Sequence, residues 1–182
     1  MNPQALLGIT IGSTVMFVFG AIWLLLGFCA GRPSPGWLRA AFLIAGVSIA
    51  VWIAVTGIRA RSIARSAAAP SRKEEMRDRE IGRRFELITG AEGLAILVAV
   101  VGLNVAHRPN LILPVIAAIV GLHFFPLAAL FGSPAYYVTG VLGCAISLAG
   151  FLTYDPALRK TVVGLSFGTL LWLTVAAILI RI

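Results

Sequence analysis

The chain carries little charge for its length, and this scarcity excludes an ordinary soluble domain. Only 12% of its 182 residues are charged and 59% are hydrophobic, with a mean hydropathy of +0.97, whereas soluble domains contain about 25% charged residues. The charges are also unevenly placed, since none occurs in the windows 1–31, 40–58, 109–154 and 161–180. Uninterrupted apolar stretches of this length are typical of membrane-spanning helices.

Cysteine, histidine and acidic residues are also scarce, which limits the chemistry available to the chain. The two cysteines lie in different apolar segments without metal-ligand spacing, so neither a metal site nor a cofactor is predicted. No H-E-x-x-H, G-x-S-x-G or P-loop motif occurs. The chain is therefore predicted not to be an enzyme, although a lipid-acting enzyme with His123 as its base stays open as an alternative.

The apolar runs predict an all-α membrane protein with six transmembrane helices, arranged as three antiparallel hairpins in a single domain. A helical crossing of the hydrocarbon core takes about 20 residues, and Pro- and Gly-containing turns such as 32–36 and 132–134 divide the runs into segments of that size. The expected helices cover residues 6–30, 38–58, 84–106, 111–131, 136–153 and 158–180.

Residues 59–83 are predicted to form a basic cytoplasmic loop, since nine of the fifteen Lys and Arg residues fall between Arg59 and Arg84. Ser71 and Glu74 have capping-box spacing, and no proline occurs from 72 to 84, so a helix should begin near Ser71 and continue into the third crossing. Basic residues beside a membrane contact anionic lipid head groups. Nucleic-acid binding is not predicted, because this stretch lacks stacking aromatic residues and nucleic-acid-binding motifs.

The distribution of basic residues also predicts the orientation of the chain. The N-terminus, the 59–84 segment, the fourth-to-fifth turn and the C-terminus together carry ten Lys and Arg residues, and the other three turns carry five. Short loops rich in Lys and Arg stay in the cytoplasm. We therefore expect a multi-pass protein of the cell membrane with its N- and C-termini in the cytoplasm.

Small residues at four-residue spacing predict where helices approach one another closely, because helix association in lipid depends on backbone contact at such positions. The positions expected to pack in this way are Gly8, Gly12, Gly46, Gly164 and Gly168. The same faces also suit protein partners or a homo-oligomer, and the sequence leaves that choice open.

Two ionisable side chains lie well inside the predicted spans, Glu92 in the third helix and His123 in the fourth. A central acid costs about 2.5–3.5 kcal/mol in a membrane, so it needs a partner, water or a proton. Glu92 lies eight residues from Arg84 and His123 nine residues from Gly132, which places both roughly 12–14 Å from the same membrane boundary at 1.5 Å per residue. Adjacent antiparallel helices should bring the two side chains within hydrogen-bond reach.

Pro126 follows His123 by three residues and deprives the Leu122 carbonyl of its helical donor. A break of this kind beside an ionisable residue suits a site that lines a cavity. Glu92, His123 and Pro126 are therefore the candidate intramembrane proton or ion site. The alternative that the Glu–His pair only joins two helices stays open.

Two functional hypotheses follow. The first is permeation of a small solute or ion, with Glu92 and His123 as a titratable pair. The second is a non-catalytic membrane subunit, assembly factor or scaffold that binds protein partners and lipid. A water-filled cavity at the pair would favour permeation, and a dry, tightly packed pair would favour the second hypothesis.

Overall fold

The fold is that of a computed structural model, which describes residues 3–30, 33–66 and 72–180. Six α-helices within these residues are long and apolar enough to span a membrane, and they form antiparallel hairpins, which confirms the predicted fold class. A short 3₁₀ turn, Pro109–Leu111, precedes the fourth helix. The helices are α1 (Pro3–Ala30), α2 (Gly36–Ser66), α3 (Arg72–Val105), α4 (Ile112–Phe131), α5 (Pro134–Leu152) and α6 (Pro156–Leu179).

The predicted loop 59–83 is largely helical, because α2 continues to Ser66 and α3 already begins at Arg72. The prediction of one unbroken helix from near Ser71 into the third crossing is confirmed by the 34 residues of α3, while Ser71 itself lies outside the described residues. At 1.5 Å per residue α3 is about 51 Å long, well beyond a hydrocarbon core of about 30 Å. Both helices therefore extend past the hydrocarbon at the same end of the bundle, which we call the basic end.

The helices follow a different order in space from their order in the chain. The spatial order is α2, α1, α6, α5, α4, α3, with α6 in the middle, where it also touches α2 and α4. The most extensive contacts join α1 to α6 and α4 to α5, and both of these contacts lie between different hairpins. They are more extensive than the contacts between the two helices of the α1–α2 hairpin or of the α3–α4 hairpin. Buried side chains of α1, α4 and α6 form the main core.

The contact between α1 and α6 is close because glycines face each other across it. A Cβ on Gly164 would lie 2.6 Å from both Cα and N of Gly27, and a Cβ on Gly168 would lie 2.7 Å from the carbonyl oxygen of Gly20. A similar approach joins α4 to α5, where a Cβ on Gly121 would lie 2.9 Å from the backbone N of Cys144. The sequence predicts packing roles for Gly164 and Gly168 but not for Gly20 and Gly27, the glycines that face them.

Of the remaining predicted packing glycines, Gly46 lies against the Trp172 ring, and a Cβ there would come within 2.6 Å of Cη2. The prediction for Gly12 is wrong within this chain, since a Cβ there would meet nothing within 4 Å. The reason is helical register: the next residue, Ser13, faces the bundle and is only 2% exposed. The surroundings of Gly8 lie outside the described residues.

Hydroxyl groups provide further links between the helices. The Oγ1 atoms of Thr139 in α5 and Thr174 in α6 lie 2.7 Å apart in a buried contact. Ser147 in α5 donates to the carbonyl oxygen of Pro114 in α4 at 2.8 Å. Bonds of this kind contribute modestly to helix association in membranes, and here they tie α5 to both of its neighbours.

Candidate functional site

The Glu92 and His123 side chains meet where α3 lies against α4. Glu92 belongs to a stripe of partly buried residues on α3 that includes Ile88 and Ile96 at four-residue spacing, so one face of α3 contacts α4. Nδ1 of His123 lies 3.4 Å from Oε2 of Glu92, and the side chains are only 10% and 16% exposed, respectively. The structure thus brings together Glu92 and His123, which the sequence places at the same depth in the membrane.

The His123 ring also contacts an aromatic side chain of its own helix. It lies edge-on to Phe124 at a centroid distance of 6.1 Å. A neutral imidazole has one N–H donor and one acceptor nitrogen, whereas a protonated ring has two donors. A carboxylate beside this ring is therefore a suitable acceptor for either form.

Aromatic rings lie between the Glu92–His123 pair and the basic end of the bundle. Phe131 contacts Phe85 of α3 and Tyr136 of α5, each with ring centroids 6.1 Å apart. Tyr136 in turn contacts Phe124, at 5.7 Å. Ring contacts therefore join α3, α4 and α5 on this side of the pair.

Pro126 does not belong to this site. Helix α4 continues through it from Ile112 to Phe131, and Pro126 itself is exposed on the outer surface of the bundle. Leu122, whose carbonyl loses its donor to the proline, is 59% exposed. The interior side of this turn is formed by Leu127 and Ala128 instead.

Two of the grooves on the surface of the described residues contain neither Glu92 nor His123. One runs between α5 and α6, has a volume of about 560 Å³ and is lined mainly by apolar residues such as Leu142 and Leu173. The other, of about 320 Å³, lies at the basic end between α3 and α4 and contains Arg77 and Arg84. We call this second one the arginine groove.

Arg159 is a buried cation whose role the sequence analysis missed. It is only 8% exposed, and its guanidinium donates to three backbone carbonyls: Gly150 at 2.9 Å, Thr153 at 2.6 Å and Asn110 at 3.2 Å. These bonds tie the end of α5 and the α3–α4 turn to the start of α6. The sequence signal for this role is the position of Arg159 in the first turn of α6. A cation there interacts unfavourably with the helix dipole, so its side chain is expected to bind a different part of the chain.

No metal site accompanies the pair in the described residues, because no three His, Cys, Asp or Glu side chains come together there. A zinc site in a protein takes three or four such ligands.

Comparisons with known proteins identify a family but no characterised relative. Neither curated proteins nor solved structures give a match to this chain. The model of a family of unknown function, DUF7010, matches residues 86–181. The matched stretch is more than half of the chain and contains Glu92, His123 and Arg159. The chain therefore belongs to DUF7010, a family of unknown function.

Proposed function

We propose that this protein is a non-catalytic membrane subunit or scaffold that binds a partner through α3. The observation that carries the proposal is the exposure of α3, because its apolar window contributes no buried residue, whereas 56% of the corresponding window of α6 is buried. Helix α3 rests on α4 along one stripe and leaves the rest of its circumference available.

The exposed surface of α3 is also suited to close helix contact. Gly90 and Gly93 lie on it with open space around each, since a Cβ on either would meet nothing within 4 Å. Small residues of this kind let a second transmembrane helix approach the backbone. Leu94 and Leu97, which are 62% and 59% exposed, flank these positions and would supply the apolar contacts.

In this proposal the Glu92–His123 contact has a positioning role. The interior of the bundle is filled by side chains such as Phe167 and Val163, which are fully buried, and the pair lies to one side of this core, between α3 and α4. A hydrogen-bonding contact inside the membrane forms only between particular side chains and in a particular orientation. It would hold α3 in one rotation about its axis, so that the same face always points outward.

Crosslinking at matched positions tests the proposal. A photoreactive amino acid would be placed at Gly93 or Leu97 on α3 and, as a control, at Leu148 on α5, which is 59% exposed. We expect a protein adduct, identified by mass spectrometry, from the α3 positions and not from Leu148. Lipid adducts alone at all three positions, or the same protein adducts at all three, would reject α3 as a binding helix.

Permeation of protons or ions is the second candidate, and the contact between Glu92 and His123 favours it. An acid and an imidazole in contact at 3.4 Å inside a membrane span have the chemistry of a proton relay. The chain reconstituted in liposomes with a pH-sensitive dye inside should conduct protons under an imposed potential if this candidate is correct. Glu92→Gln should then abolish the flux while Glu86→Gln, an exposed acid nearer the basic end, should retain it. A wild-type flux equal to that of empty liposomes would eliminate this candidate.

A further inference from the structure

The arginine groove has one charged wall and one apolar wall. It lies between the part of α3 near the basic end and the last turn of α4. Helix α3 supplies all of its charged side chains, and α4 supplies only apolar ones. The lining residues are Arg77, Glu80, Ile81 and Arg84 from α3, and Ala129 and Leu130 from α4.

The two arginines point to the same side of α3 because they are seven residues, or about two turns, apart. Between them, Glu80 accepts a 2.6 Å contact from Arg84, and both of these side chains are 64% exposed. An exposed ion pair of this kind contributes little to stability, so Arg84 is able to exchange Glu80 for another anion. The groove carries two positive charges and one negative charge, and it therefore favours an anionic ligand.

The depth of the groove matches the head-group layer of a bilayer. Arg84 lies where the apolar part of α3 begins, and Arg77 lies about 10 Å further out at 1.5 Å per residue. The polar layer on each side of the hydrocarbon is about 5–8 Å thick, so the backbone of Arg84 lies within this layer and that of Arg77 lies a few ångströms beyond it. Both side chains are long enough to extend to phosphate groups in the layer. Ala129 and Leu130, in the last turn of α4, form the apolar wall nearest the hydrocarbon, and Ile81 lies between the two arginines on α3.

We propose that the arginine groove is a binding site for an anionic phospholipid, whose phosphate contacts Arg77 and Arg84 and whose acyl chains lie along Ala129 and Leu130. Arginine pairs well with phosphate because its planar guanidinium donates two parallel hydrogen bonds. A lipid with net negative charge suits the groove better than a zwitterionic one, since a choline head group would bring a second cation next to the arginines. The bound lipid bridges α3 and α4.

Lipid binding by matched variants tests this site. The full chain in detergent would be titrated with phosphatidylglycerol or phosphatidylcholine, and bound lipid counted by native mass spectrometry. We expect wild type to prefer phosphatidylglycerol, and Arg77→Gln or Arg84→Gln to weaken its binding about fivefold, as for a loss of about one charge contact near a membrane surface. The controls are Arg79→Gln and Arg83→Gln, which remove the same charge from the other side of the same helix and should change binding less than twofold.

Three results would overturn the proposal. Equal weakening by all four variants would show general attraction to positive charge rather than a site. Equal binding of the two lipids by wild type would show that the groove does not select an anionic head group. Displacement of phosphatidylglycerol by millimolar inorganic phosphate would assign the groove to a free anion instead of a lipid. All four arginines are exposed, so the variants should fold normally, with circular dichroism melting curves as the check.

Discussion

Replacing Gly164 with alanine tests the backbone contact that joins α6 to α1. The added Cβ would lie 2.6 Å from Cα and N of Gly27 and 2.8 Å from the carbonyl oxygen of Trp23. All three neighbours are backbone atoms of one helix, so no side-chain rotation relieves the clash. The contact distance for two carbon atoms is about 3.5–4.0 Å, and α1 and α6 must therefore separate by roughly 1 Å at this point.

The expected cost follows from that separation. Overpacking a well-packed interior costs about 1–3 kcal/mol, and the higher helix propensity of alanine returns up to about 1 kcal/mol. We therefore expect Gly164→Ala to lower the free energy of unfolding by about 1–2 kcal/mol. The matched control is Gly12→Ala, where a Cβ meets nothing within 4 Å, and that variant should be as stable as wild type or slightly more stable.

The assay is unfolding by SDS in mixed micelles, followed by tryptophan fluorescence and circular dichroism. Trp23 is a local reporter, because its ring lies 4.7 Å from that of Phe167 in the same helix contact. We expect Gly164→Ala to unfold at a lower SDS fraction than wild type and Gly12→Ala. Identical transitions for the two glycine variants would refute the conclusion that Gly164 lies at a close helix contact.

Three further predictions concern the polar residues and the orientation. Glu92→Leu should destabilise the bundle more than Glu92→Gln in the same assay, because glutamine keeps a hydrogen-bonding group beside His123; equal losses would show that polarity at this position does not hold α3. Arg159→Gln should cost about 1.5–3 kcal/mol, as expected for hydrogen bonds to a charged group, and Lys160→Gln, its neighbour and control, should cost clearly less. If the two variants are equally stable, the carbonyl contacts of Arg159 do not stabilise the fold. Reporter fusions at Ser71 and at the C-terminus should both report a cytoplasmic location, and an external location of either would reverse the predicted orientation.

The contact between Glu92 and His123 was predictable from the depth of each residue along its helix. Their depths come from counting residues along two helices joined by a short turn, and helices joined in this way usually pack side by side. Pro126 could not be assigned in the same way, because its relation to the pair depends on rotation about the axis of α4. Counting residues along a helix gives the depth of a residue in the membrane, but it does not give the side of the helix on which that residue lies.

The sequence by itself determined the number of apolar helices and the bounds of four of them. Helices α1, α4, α5 and α6 begin and end within three residues of the predicted positions, because apolar runs and Pro- or Gly-containing turns mark where a chain enters and leaves hydrocarbon. The unbroken helix through residues 72–105 was equally predictable, since the stretch from 72 to 84 contains no proline.

Only the tertiary structure decided which faces of these helices meet. It placed α6 between α1 and α5, selected Gly27 and Gly164 as a contact while leaving Gly12 open, and directed Arg159 to three carbonyls outside its own helix. The physical reason is that lipid tails are as apolar as a protein interior, so a membrane helix needs no polar outer face. Its sequence therefore gives little indication of which side packs against other helices.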